Sequence, residues 1–177
     1  MRYDPIGRLL LTPVDRDAPD RAKRLRLLGL GFGERPEPAF DAFARHLAQL
    51  AGAPYSMVTF IDEERQFYAG LHTPAPEVGR LRDRDHGYCP HVVVRRKALV
   101  LEDVRDFPRF AGNAIVDETG LRSYLGVPLI DRTGIALGTV CVVDTRPRQW
   151  GRAGLDTVKS LAAELSEQIH LREGGYI

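Results

Sequence analysis

Cys89 and His91 stand two residues apart in Gly87-Tyr88-Cys89-Pro90-His91, a thiol and an imidazole within reach of one another. Such a pair can supply an activated nucleophile, two ligands of a metal ion, or an attachment point for a chromophore. The first needs a lowered thiol pKa, and the second needs two further ligands. No C-x-x-C or H-x-x-x-H accompanies the pair, and the only other cysteine is Cys141. A free cysteine more often fills a small buried apolar space, and that is the use expected of Cys89. Cys141, between Val140 and Val142, is expected to be structural.

Haem would need an axial histidine facing an apolar pocket. Of His46, His72, His86, His91 and His170, the first and last sit among charged neighbours in helical stretches, which leaves His72, His86 and His91. A nucleotide would need phosphate donors such as Arg or a helix N-terminus. Arg109 and Asn113, with Asp83, Arg84, Asp85 and Asp106 nearby, are the polar groups available. The acids at Asp62–Glu64 and Glu102–Asp106 read as turn formers at strand ends. No Gly-rich phosphate loop, H-E-x-x-H or Ser-His-Asp pattern is present, so catalysis is not expected.

The elements that must position these residues are legible from periodicity. Ser123–Ile130 and Ile135–Val143 are apolar, β-branched runs around Asp131-Arg132-Thr133-Gly134, the pattern of an antiparallel hairpin. Tyr55–Ile61 and Gln66–Leu71 around a charged turn predict a second hairpin. Phe40, Phe43, Leu47, Leu50 and Ala51 recur at helical spacing between Pro38 and Gly52. A last helix runs from about Ala153 to Arg172 on the stripe Leu155, Val158, Leu161, Ala162, Leu165 and Ile169. An earlier one begins at Asp17 or Asp20 and runs to about Leu30, with Arg21, Lys23, Arg24 and Arg26 on its polar side. Pro90–Lys97 reads as a short helix and Ala98–Leu101 as a short strand, while 72–88 is the least regular span.

This order gives an α+β fold: a mostly antiparallel sheet bracketed by helices, with the irregular middle over its other face. A pocket between sheet and loops follows, lined by His72, Tyr88, Cys89, His91, Arg109 and Asn113. Residues 1–17 read as an irregular arm, 18–173 as a single domain and 174–177 as a tail. With 177 residues, 44% of them hydrophobic, the chain can bury a sizeable core. A net charge of +1 gives no pull toward nucleic acid or an anionic membrane. No apolar run reaches about 18 residues, the length of a membrane span. Two cysteines and no leader-like start fit a reduced cytoplasmic setting.

The Tyr124–Arg148 stretch resembles the GAF domain, a regulatory sensor module of bacterial signalling proteins and phosphodiesterases. The likeness lies in Pro128-Leu129, the Gly134 turn, Leu137-Gly138-Thr139, Cys141 and Asp144. Val58–Asp62 with Arg65-Gln66-Phe67, Gly87–His91, and Glu102–Asp106 with Pro108-Arg109-Phe110 add to it. The resemblance implies a sheet of five or six antiparallel strands, with the N- and C-terminal helices packed on one face (a GAF/PAS-like architecture). It also implies a homodimer through those helices, with Leu27, Leu30, Leu165 and Ile169 as the candidate seam. The family includes nucleotide, haem and bilin binders, so fold alone does not select a ligand. The bilin and nucleotide motifs and the cysteine set of the related methionine-sulfoxide reductases are incomplete here. The expectation is therefore a non-catalytic regulatory module acting on a protein partner, a sensor-kinase-like protein or small-GTPase system by resemblance. No resident cofactor is expected; the expected gate is an unknown small ligand in the pocket under residues 72–118. The alternatives are a haem- or nucleotide-binding sensor and a Cys89-based redox sensor or enzyme.

Overall fold

The computed structural model describes residues 3–4, 9–10, 13–30, 37–74 and 79–173. In chain order it contains β1 (Tyr3–Asp4), β2 (Leu9–Leu10), α1 (Ala18–Leu27), α2 (Pro38–Ala51), β3 (Tyr55–Ile61), β4 (Arg65–His72) and β5 (Leu81–Asp83). Then come α3 (Cys89–Arg95), β6 (Leu99–Leu101), α4 (Pro108–Ala111), α5 (Ala114–Thr119), β7 (Ser123–Ile130), β8 (Ala136–Asp144) and α6 (Gly151–Glu173). Both expected hairpins form, and they join through β3 and β8, where Tyr55 pairs with Val143 and Phe60 with Gly138. The sheet has six strands in the order β5-β4-β3-β8-β7-β6, every neighbouring pair antiparallel.

Why the central strands are apolar throughout is plain from the packing. Side chains alternate between faces, and here both faces are covered. Val58 and Phe60 of β3, Leu125 and Val127 of β7, and Val140 and Val142 of β8 face a core closed by α1, α2 and α6. Met57, Tyr68, Tyr124, Cys141 and Val143 face a second core with Tyr88, Val92, Phe110 and Ile115. All nine residues of β8 are buried. Leu165 and Ile169 belong to the helix-side core and are buried against the sheet, so they do not form an open seam. Leu30 is buried there as well, whereas Leu27 is 72% exposed.

Three expectations need correction. Residues 72–88, read as the least regular span, hold a strand that was not expected: β5 pairs with β4 through Leu81–Phe67 and Arg82–Gln66. The N-terminal arm is not wholly irregular, since β1 and β2 pair antiparallel, and residues 174–177 lie outside the described residues. Arg21 and Arg24 do not sit on a solvated helix face; they are 1% and 8% exposed. Arg21 donates from Nε to the Ala136 carbonyl at 2.5 Å and pairs with Asp15 at 2.6 Å. Arg24 pairs with Asp131 at 2.5 Å and with Glu173 at 2.6 Å. Asp131 in turn accepts from the Thr133 and Ile135 amides and the Thr133 hydroxyl, so α1 clips the β7–β8 turn to the end of α6. Arg148 works similarly at α2, donating to the Ala51 and Gly52 carbonyls at 2.7 and 3.0 Å. These are the unsatisfied carbonyls every helix end presents.

Candidate functional site

On the face away from α1, α2 and α6, alternation along β3, β4 and β8 turns Met57, Tyr68, Thr139 and Cys141 toward the segments 86–89 and 115–119. A cleft lies between them. Its outer lobe encloses about 410 Å³, mouth included, and its inner lobe about 250 Å³. The lobes share Met57, Tyr68, His86 and Ile115. The outer lobe adds Tyr55, Leu71 and Val143 as walls, with Arg82, Glu118 and Thr119 near the mouth. The inner lobe ends on Thr59, Gln66, Cys89 and Thr139.

Two side chains set the position of the cleft's roof. Gln66 on β4 donates from Nε2 to the carbonyls of Arg84 and His86 at 2.8 and 2.5 Å. Asn113 caps α5 by accepting from the Ile115 amide at 3.1 Å. The Asn113 side-chain amide also accepts from the Gly87 N–H through Oδ1 and donates from Nδ2 to the Gly87 carbonyl, both at 2.9 Å. The turn carrying His86 and Tyr88 is thus tied to the sheet on one side and to α5 on the other. Tyr88 donates its hydroxyl to the Phe110 carbonyl at 2.8 Å and meets the Phe110 and Tyr124 rings edge-on.

Burial sets the charge state of the interior. It pushes the Cys89 thiol up to about 11, against Thr139, Arg21 and Arg84, which favour the thiolate. It pushes Cys141 up to about 12 and raises the phenols of Tyr68, Tyr88 and Tyr124. Burial also lowers His86, against the attraction of Glu118, whose Oε2 lies 3.5 Å from Nε2. His91 falls to about 4 through burial and the charges of Arg109 and Arg95. Near neutral pH these thiols, phenols and imidazoles are all uncharged. At pH 8 a thiol of pKa 11 is thiolate in only about one molecule in a thousand. Iodoacetamide should therefore leave native Cys89 and Cys141 unmodified over a time in which the urea-unfolded chain takes up two adducts by mass spectrometry. Fast single modification of native Cys89 would contradict this assignment.

The residues expected at the pocket divide. Tyr88 and Cys89 line the inner lobe. His72 does not: its neighbours Leu71 and Thr73 line the cleft, and alternation turns His72 to the opposite face. His91 is not paired with Cys89; its ring packs edge-on against Phe110 at 5.2 Å. Arg109 is exposed and stacks over Phe110 at 4.7 Å. Asn113 shapes the roof without lining either lobe. Among the described residues, no three His, Cys, Asp or Glu side chains are grouped as metal ligands. None of the described helices is long and apolar enough to cross a membrane.

The family model of the GAF domain matches residues 35–169, most of the chain and all six strands of the sheet. The chain belongs to the GAF domain family. A cyclic di-GMP phosphodiesterase of Pseudomonas aeruginosa is 26% identical over 171 residues, covering 93% of this chain. This chain spans only 28% of the length of that relative. Among solved structures, the GAF domain of an Acinetobacter phosphoenolpyruvate-protein phosphotransferase superposes with a TM-score of 0.65 at 20% identity, over 93% of this chain and 100% of that one. A free methionine-R-sulfoxide reductase of Neisseria meningitidis, solved in complex with its substrate, gives 0.65 at 16% identity over 94% and 98%. The GAF fold is thus shared across proteins of different activity, and the chain is a GAF signalling and sensor module. The sequence alone did not place Tyr68, Arg82, Glu118 or Thr139 in the cleft. The period-two pattern of β3, β4 and β8 carried the signal for Tyr68 and Thr139.

Proposed function

We propose that this GAF domain is a non-catalytic cytoplasmic sensor that takes a small molecule into the cleft and passes its occupancy to a protein partner. The observation that carries this reading is the cleft itself: an aromatic and aliphatic cavity with a few convergent polar groups, the usual form of a small-molecule site. Deep inside it, the Thr139 hydroxyl is buried beside the Cys89 thiol at the end of the inner lobe. Cys89 held as a thiol and His91 turned onto Phe110 support binding over covalent chemistry. Leu27, exposed near the end of α1, is the part of the expected seam still open to a second copy or another protein. The test is titration with small aromatic compounds, watched at the methyl signals of Met57 and Ile115. Shifts that begin at those two methyls support the reading; compounds that bind elsewhere and leave both silent contradict it.

A further inference from the structure

Seven of the arginines that are buried or half-buried hold a carboxylate: Arg21, Arg24, Arg80, Arg84, Arg122, Arg148 and Arg172. Arg82, half-buried on β5, is the exception among the described residues. Its hydrogen bond goes from Nη1 to the adjacent Leu81 carbonyl at 3.0 Å, and its buried Nε has no acceptor. Its guanidinium lies over the Tyr68 ring, 5.5 Å from the centroid, in the wall of the outer lobe. A partly desolvated guanidinium with unused donors is matched by a planar carboxylate.

Most of that lobe's wall is apolar, formed by Tyr55, Met57, Leu71, Ile115 and Val143, with His86, Thr119 and Glu118 among its other polar groups. Its 410 Å³ includes the solvent-open mouth, so the sheltered space favours a compact ligand of one ring and excludes a tetrapyrrole or a dinucleotide. Glu118, 52% exposed, stands across the mouth beside His86. Its negative charge opposes a second charge on the occupant.

We propose that the cleft binds a small monocarboxylate with a single apolar ring, its carboxylate on Arg82 and its ring against Tyr68 and Met57. This rests on the reading of the cleft as a ligand site. Benzoate, benzamide and phenyl phosphate test it, each titrated by calorimetry and by the Met57 methyl signal. Benzoate should bind about tenfold or more tighter than neutral benzamide, the usual gain from a hydrogen-bonded charge. Arg82→Gln should remove that advantage and leave benzamide unchanged, Arg82→Lys should retain part of it, and Glu118→Gln should tighten benzoate. Because Glu118 is exposed, its variant decides the matter even if the Arg82 variants fold poorly. Benzamide binding as tightly as benzoate, or phenyl phosphate binding tightest, would overturn the monocarboxylate while leaving the cleft as a ligand site. If none of the three moves Met57, both fail.

Discussion

Gly138→Ala is expected to prevent the chain from folding. Gly138 sits on β8 opposite Phe60 of β3 and Leu129 of β7, in the middle of the sheet. A Cβ there would lie 1.7 Å from the Thr59 carbonyl oxygen, 2.8 Å from its carbon and 2.9 Å from the Phe60 Cα. All three are backbone atoms of the neighbouring strand. They cannot yield without breaking the β3–β8 ladder that joins the two hairpins. The loss should exceed about 4 kcal/mol, beyond the range of ordinary substitutions. Soluble yield and urea denaturation followed by circular dichroism would measure it. Gly134→Ala is the matched control. Nothing lies within 4 Å of its Cβ, and its φ of +87° alone is strained, for a cost of about 1–2 kcal/mol. Equal stability of Gly138→Ala and the wild type would mean that the β3–β8 register is different.

Arg24→Met should produce the second largest loss, about 3–5 kcal/mol, the usual consequence of stranding a buried charge. The Asp131 carboxylate is buried and loses its partner at 2.5 Å, while Glu173 loses two hydrogen bonds. Glu173 is more exposed, so Glu173→Gln alone should cost far less than Arg24→Met. Adding Asp131→Asn to Arg24→Met should recover part of the loss, because the stranded charge is gone. The pH dependence has a definite sign. Burial raises the Asp131 pKa, but Arg24, Thr133 and the Ile135 amide together bring it below the ordinary 3.8. Asp15 is likewise lowered, burial being outweighed by Arg21 and Arg84. A carboxylate with a depressed folded pKa stabilises above its unfolded pKa, and that contribution is lost as pH falls through the folded value. Denaturation midpoints should therefore fall below about pH 4, and less steeply in Arg24→Met.

These two positions also show what the sequence made legible. Gly138 lies in the Leu137-Gly138-Thr139 stretch that marks the family, and the β-branched runs around it announced both hairpins. Those runs are long and are held by their own apolar pattern. Arg24 was hidden because a charged residue on an amphipathic helix reads as solvated. Its partners, Asp131 and Glu173, are far along the chain and meet it only in the fold. The three residues of β5 were missed for a related reason: pairing with β4, not local preference, makes them a strand. In the cleft, Tyr88 and Cys89 were found from their motif. His72, His91 and Arg109 were near in sequence but misplaced, since strand alternation and ring packing decide which way each side chain turns. Arg82 carried no motif at all. What distinguishes it is the missing carboxylate, which is visible only when every other sheltered arginine among the described residues has found one.

The sheet face under segments 86–89 and 115–119 is the proposed binding site. The most direct measurement is a methyl-resolved NMR titration of the wild-type protein with benzoate. Met57 and Ile115 in the cleft are read against Val158 and Leu161 in the helix-side core. Saturable shifts are expected at Met57 and Ile115 while Val158 and Leu161 stay in place. Saturable shifts confined to Val158 and Leu161, or no saturable shift at any of the four, would contradict the proposed site.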